Sequence, residues 1–192
     1  MAKGSEIKSR METPELIERL QNRETCRAAM NEVIAIYSEP LYWQIRRLVQ
    51  RHEDADDILQ NTFIKAWTSI ENFRGDAKLS TWLYKIAINE SLTFLSKEQR
   101  RATVSLDTPG EYLVETIEAD EWIDGNRTSV LLREAIATLP EKQRVVFNMR
   151  YFDEMKYEDI SEVLGTSVGA LKASYHIAVK KIEQYVNDRT VE

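Results

Sequence analysis

The chain has little of what covalent or metal chemistry requires. Its one cysteine, Cys26, cannot form an internal disulfide, and unpaired cysteine usage fits a reducing, cytoplasmic setting. One cysteine and two histidines are too few for a zinc centre, so no metal is expected. Glycine (6) and proline (4) are scarce among 192 residues, which argues against a sandwich or barrel of many tight turns and for a mostly helical chain. Apolar runs reach about five residues, far below the roughly 20 needed to span a bilayer. The opening MAKGSEIKSRMETPEL holds no apolar stretch of signal-peptide length, so stable membrane insertion is not expected. No glycine-rich phosphate loop and no paired carboxylate constellation occurs. Cys26 lies on an apolar helical pattern without a His or Asp companion and reads as a core thiol; His52 reads as a loop or capping residue. Neither an enzyme nor a cofactor is expected.

Charge is present but unevenly placed. The chain carries 26 basic and 32 acidic residues, a net charge of −6. From Ala102 to Val130 the charged residues are Asp107, Glu111, Glu115, Glu118, Asp120, Glu121, Asp124 and the single base Arg127, so this stretch alone accounts for the whole excess. Arg74 to Arg101 is basic, with Arg74, Lys78, Lys85, Lys97, Arg100 and Arg101 against Asp76, Glu90 and Glu98. Local asymmetry of this kind outweighs the total when the partner is charged.

Three zones follow: a helical unit over 13–101, an acidic linker over 102–128 containing the turn signature Asp107-Thr108-Pro109-Gly110, and a second helical unit over 129–188. The expected fold is all-α, two small helical domains joined by the linker, with no internal repeat. Thr13 can cap a short helix that begins at Pro14. A helical stretch from about Thr25 to Arg51 is expected to kink or break near Pro40. Asp54–Ile70 carries the apolar stripe Ala55, Ile58, Leu59, Thr62, Phe63, Ala66, Trp67 and Ile70. Asn72 to Asp76 reads as a loop, after which Ser80 can cap a helix bearing Trp82, Leu83, Ile86 and Ala87. Its basic end, Lys97, Arg100 and Arg101, suits either a duplex backbone or the helix dipole. In the last unit, helices are expected over Ser129–Thr138, Glu141 to about Tyr151, Tyr157–Leu164 and Val168 to about Val186.

The spacing of Ile160, Val163 and Leu164, then Gly165, then a helix capped by Ser167, is that of a helix-turn-helix. At about 100° per residue, Val168, Leu171, Tyr175, Ala178 and Ile182 share one face. The outward face holds Gly169, Ala170, Ala173, His176, Ile177 and Lys180, small near the start, so that backbone can approach a groove floor. No acid occurs between Val168 and Ile182, and Lys172, Lys180 and Lys181 can meet phosphates. An ordinary helical hairpin with a solvated face is the alternative. On Asp54–Ile70, Asp57, Asn61 and Ile64 lie opposite the stripe, flanked by Gln60 and Lys65: an interface anchor, or an incidental surface isoleucine. Asn72–Asn89 mixes Phe73, Trp82 and Tyr84 with bases and amides, which suits single-stranded DNA, although Trp82 has the spacing of a core residue.

Two motif blocks resemble one family. Leu139-Pro140-Glu141-Lys142-Gln143-Arg144-Val145-Val146-Phe147, Tyr157-Glu158-Asp159-Ile160 and Val168-Gly169-Ala170-Leu171-Lys172 resemble the C-terminal domain of bacterial sigma-70-type factors. Asp54-Ala55-Asp56-Asp57-Ile58-Leu59-Gln60-Asn61-Thr62-Phe63, Phe73-Arg74-Gly75-Asp76 and Ser80 to Asn89 resemble their second conserved region, and the compact layout is similar to that of the extracytoplasmic-function (ECF) group. The resemblance implies a sigma factor that binds core RNA polymerase and directs initiation at promoters with −10 and −35 elements, aiding their opening. It implies polymerase contacts at Asp57, Gln60, Asn61 and Ile64. It implies contacts to a single-stranded −10 element at Phe73, Arg74, Gly75, Asp76, Ala77, Lys78 and Asn89, with an aromatic set thinner than in primary sigma factors and hence stricter dependence on promoter sequence. It implies an anti-sigma partner, although no residue shows one. Duplex −35 recognition would fall to Lys172, Ala173, Ser174, His176, Ile177, Lys180 and Lys181. Here the helix departs from its relatives in having lysines at its ends rather than arginines along it, so its isolated affinity should be weak and salt-dependent. The linker would either thread a basic channel of the polymerase or act as a solubilising tether. A helix-turn-helix regulator that works without polymerase, and a helical adaptor that binds only protein, are the rival readings.

Overall fold

The computed structural model describes residues 14–49, 51–73, 77–104 and 127–190. Among them are eight α-helices and no strand. The proposed cap Thr13, the loop residues Arg74, Gly75 and Asp76, and nearly all of the acidic linker lie outside the described residues.

The first half contains α1 (Pro14–Gln21), α2 (Cys26–Arg46), α3 (His52–Ser69), a 3-10 turn (Ile70–Asn72) and α4 (Leu79–Val104). Helix α2 is continuous through Pro40, so of the kink or break expected there the break does not occur. Proline removes one hydrogen bond, to the Ile36 carbonyl, but Val33, Tyr37, Leu41 and Ile45 on one face are all buried. Packing on both sides of the proline outweighs the lost bond. The stripe of α3 is buried at Ala55, Ile58, Thr62 and Ala66, and the Thr62 hydroxyl donates to the Ile58 carbonyl at 2.7 Å. Trp67 departs from the expectation: it is 45% exposed. It lies about 100° round the helix from Ala66, at the edge of the stripe and towards the opposite face.

Phe73 also departs. It is 4% exposed, its ring centre stands 5.1 Å from that of Trp82, and its carbonyl accepts from Gln21 Nε2 at 2.9 Å. The residue expected to face a base is therefore packed into the core where the loop begins, locked to α1 and α4. A glycine-containing loop suggested exposure, but the aromatic ring supplies the largest apolar surface there and is drawn inward.

The second half contains α5 (Arg127–Ala137), α6 (Glu141–Tyr151, with Pro140 at its N-cap), α7 (Tyr157–Leu164) and α8 (Val168–Thr190). Gly165 closes α7 in the left-handed conformation (φ +61°), donating to the Ser161 carbonyl at 2.9 Å. Ser167 Oγ accepts from the Ala170 amide at 3.3 Å, capping α8. On α8, Leu171, Ala178 and Ile182 are buried and Tyr175 is half-buried, stacked on Phe147 with ring centres 5.7 Å apart. Two apolar clusters result. A small one joins Ala135, Ile136, Leu139, Phe147, Ala178 and Ile182. The large one fills the first half and extends into Val145, Val146, Met149, Ile160, Val163 and Leu171 of the second.

Phe73→Ala should lower unfolding free energy by about 3–5 kcal/mol, the usual cost of emptying a buried aromatic site. A urea melt checks this; a loss under about 1 kcal/mol would return Phe73 to the surface. Gly165→Ala meets no atom within 4 Å of the added methyl, so only the left-handed backbone opposes it. The expected cost is about 1–2 kcal/mol in the same melt.

Candidate polymerase and DNA interfaces

Each candidate face is the side of a helix that its own packing leaves over. On α3, burial of Ala55, Ile58, Thr62 and Ala66 turns Asp57, Gln60, Asn61 and Ile64 to solvent, and Ile64 is 53% exposed. Trp67 stands one turn from Ile64, so the two form an apolar ridge with Asp57, Gln60 and Asn61 beside it. Sequence reasoning missed Trp67 by counting it into the stripe; its angular distance from Ala66 was the available signal. Lys65 Nζ donates to Glu90 Oε1 and ties α3 to α4. Burial raises the Asp54 carboxyl above its ordinary range, partly opposed by Arg51.

On α4, Leu79, Leu83 and Ala87 are fully buried, while Lys85 and Asn89 are exposed. At about 100° per residue, Lys78, Lys85 and Asn89 share one stripe roughly 16 Å long. Lys78 directly precedes the helix, and its carbonyl accepts from the Trp82 amide at 3.0 Å. Its ammonium group donates to Asp159 Oδ1 of α7 at 2.8 Å. Ala77 is half-buried. Tyr84, one of the three aromatics of this segment, is buried; desolvation pushes its phenol pKa well up, the Asp153 charge adds to this, and Arg47 opposes it. The structure therefore brings Lys78, Lys85 and Asn89 together on a surface and withdraws Phe73 and Tyr84 from it. Arg101 is held by Glu98 at 2.8 Å, while Lys97 and Arg100 are exposed.

On α8, the buried contacts of Leu171, Ala178 and Ile182 fix the rotation of the helix. Lys172, Ala173, His176, Ile177, Lys180 and Lys181 are exposed, and Ile177 is 45% exposed. Ser174 is only half-buried, on the flank rather than the crest. Lys172 Nζ lies 5.7 Å from the Tyr157 ring centre, and Lys181 Nζ donates to Gln143 Oε1 at 3.1 Å. Gly169 and Ala170 are exposed at the start, leaving backbone accessible. Tyr151 (51% exposed) and Phe152 (37%) end α6 as surface aromatics that the sequence reading did not single out. Among the described residues no helix is long and apolar enough to cross a membrane, and no group of three or more His, Cys, Asp or Glu could hold a metal ion.

Two family profiles fall within the two helical units. Sigma-70 region 2 matches residues 33–101, and Sigma-70 region 4 matches residues 129–182. The RNA polymerase sigma-H factor of Pseudomonas aeruginosa is 30% identical, over 88% of this chain and 91% of that protein. The ECF RNA polymerase sigma-E factor of Haemophilus influenzae is also 30% identical, over 89% and 93%. Two solved structures share the fold at 21% identity. These are the sigma factor RpoE in complex with the anti-sigma factor NepR from Bartonella quintana (TM-score 0.65, covering 82% of this chain and 96% of that one), and CnrH in complex with the cytosolic domain of CnrY (0.67, 90% and 96%). With both regions matched in order and relatives 30% identical over nearly the whole chain, the chain belongs to the ECF group of the sigma-70 family: non-enzymatic factors that bind RNA polymerase, recognise promoters and so direct transcription initiation.

Proposed function

We propose a division of labour between the halves. Residues 13–101 bind core polymerase and the single-stranded −10 element, and residues 129–188 read the duplex −35 element. The observation that carries this reading is the outward face of α8. It is exposed, free of acids from Val168 to Ile182, glycine- and alanine-lined at its start and lysine-bearing at both ends of the recognition stretch. A face of that kind fits a major groove, with backbone close to the bases and ammonium groups on phosphates. Polymerase docking falls to the α3 ridge: Asp57, Gln60, Asn61 and Ile64, with Trp67 extending it. On the −10 side the accessible contacts are Lys78 and Asn89, with Ala77 beside them; Arg74, Gly75 and Asp76 belong to the same set by position. Phe73 supports that loop from within the core and does not stack on a base from where it lies. The setting is cytoplasmic, where polymerase and promoter are. An anti-sigma factor is the further partner, by analogy with the two complexes of the same fold.

His176 and Ile177 at the crest of α8 meet base edges, the second suited to a thymine methyl. Lys172, Lys180 and Lys181 meet phosphates. Ser174, on the flank, serves at most the edge of the site, and Ala173 admits close approach. The lysines lack the bidentate fork by which arginine reads guanine, so binding is weak and steeply salt-dependent.

Asp57→Ala, Gln60→Ala and Ile64→Ala combined should weaken core polymerase binding by about 2 kcal/mol or more, some 30-fold, without changing the melt. Unaltered affinity in the folded triple variant would remove α3 from the interface. Lys180→Ala should lower −35 binding equally for every sequence and reduce the salt slope by roughly 1. His176→Ala should instead change the ranking of −35 single-base variants; a uniform loss across the series would make His176 a backbone or structural contact.

A further inference from the structure

Three helices of the second half converge on the ring of Tyr157. Tyr157 opens α7 and is half-buried. Arg150, in the last turn of α6, places its guanidinium carbon 5.2 Å from the ring centre. Lys172, in the second turn of α8, places its ammonium nitrogen 5.7 Å from the same point.

The ring is held independently of Lys172. It meets the ring of Tyr175 on α8 edge to face, with centres 6.4 Å apart and planes at 78°. It packs against the apolar cluster that includes Ile160, Val163 and Leu171. Arg150 is itself anchored, donating through Nη1 to the Met155 carbonyl at 2.9 Å. A ring placed by these contacts offers its π-electrons to a cation at a fixed point. Lysine gains from such a point. Its ammonium rides on a flexible four-carbon stem, and ordering that stem carries one of the largest side-chain entropy costs. An ammonium already held against a ring has lost part of that freedom before DNA arrives. The contact is made by charge, so it leaves the N–H groups of Lys172 for phosphate oxygens.

The location suits a phosphate. Leu171 is buried and sets the inward direction of α8. At about 100° per residue, Gly169, Ala173, His176 and Lys180 then run along the crest of the outward face, with Lys172 about 70° to one side. A helix about 10–12 Å across, in a major groove about 12 Å wide, meets the sugar–phosphate walls with its flanks rather than its crest. Lys172 lies on the flank that faces the start of α7.

We propose that Tyr157 is a positioning residue for −35 binding: its ring, set by Tyr175 and Arg150, holds the Lys172 ammonium at the groove wall for a phosphate of the −35 duplex. The proposal rests on the phosphate role of Lys172. It gives Tyr157 and Arg150 a part in recognition without contact to a base. A fixed location offsets part of what the lysine lacks beside arginine's planar fork.

The test uses holoenzyme assembled from the full chain and core polymerase. Binding is measured over a salt series on two promoter fragments, one carrying both elements and one ending between them. On the long fragment Tyr157→Leu should weaken binding about two- to fivefold, the worth of one exposed cation–π contact. The salt slope should be kept, since Lys172 still reaches its phosphate. Tyr157→Phe keeps the ring and should match the wild type. Lys172→Met should weaken binding at least as much as Tyr157→Leu and lower the slope by roughly 1. Tyr157→Leu added to Lys172→Met should cost nothing further. On the short fragment every variant should match the wild type. A Tyr157→Leu loss that persists in the Lys172→Met background, or that appears on the short fragment, makes the ring structural and overturns the proposal. A Tyr157→Phe loss equal to that of Tyr157→Leu places the effect in the hydroxyl and overturns it too. If circular dichroism shows Tyr157→Leu unfolded, Tyr157→Phe made with a trifluorinated ring keeps the shape and depletes the π-face. That variant should then show a loss of the same order, and wild-type binding by it overturns the proposal. If Lys172→Met binds the long fragment as the wild type does, the −35 reading of Lys172 fails, and Tyr157 has nothing to position.

Discussion

Helix α4 is surrounded on most of its circumference. Leu79, Leu83 and Ala87 are completely buried, and Tyr84, Ile88 and Ser91, further round, are buried too. The helix packs against α2 and α3 of its own half and against α7 of the other. What remains is a narrow stripe carrying Lys85 and Asn89, with Lys78 at its head. The other functional faces follow from this arrangement. Helix α3 can offer Ile64 and Trp67 because its stripe is spent on α2 and α4, and α7 is held where Asp159 reaches Lys78. A helix buried on two sides shows weak amphipathic contrast, since both arcs are apolar and only a third stays polar.

Much of this was legible in the sequence. Gly165 and Ser167 announce the turn and cap of the helix-turn-helix because their roles are local: a left-handed φ and a hydroxyl facing an orphan amide. The rotation of α8 was legible because Leu171, Ala178 and Ile182 repeat at the helical period. Other features were set by what lies across the fold. Pro40 reads as a break until Tyr37 and Leu41 are seen buried on either side. Trp67 has the chemistry of a core residue and the angle of a surface one. Phe73 has the setting of a loop residue, yet Trp82 and Gln21 enclose it.

The contact between the halves was not legible at all. Arg47, Asp153 and Asp159 sit in stretches where charged residues are ordinary, and no periodicity relates positions that far apart. Only folding brings the Arg47 guanidinium onto the Phe152 ring and Asp159 to Lys78. The same holds for Tyr84: its place among basic and aromatic neighbours suggested DNA, and its partner in this structure is protein.

The central claim is that this chain supplies promoter choice to polymerase. Run-off transcription tests it most directly: purified chain and core polymerase, on templates whose −10 and −35 elements are altered singly and together. The account requires transcripts that start at one promoter class, depend on both elements and vanish without the chain. Transcripts that core polymerase starts equally well without the chain, or that are indifferent to both elements, would contradict it.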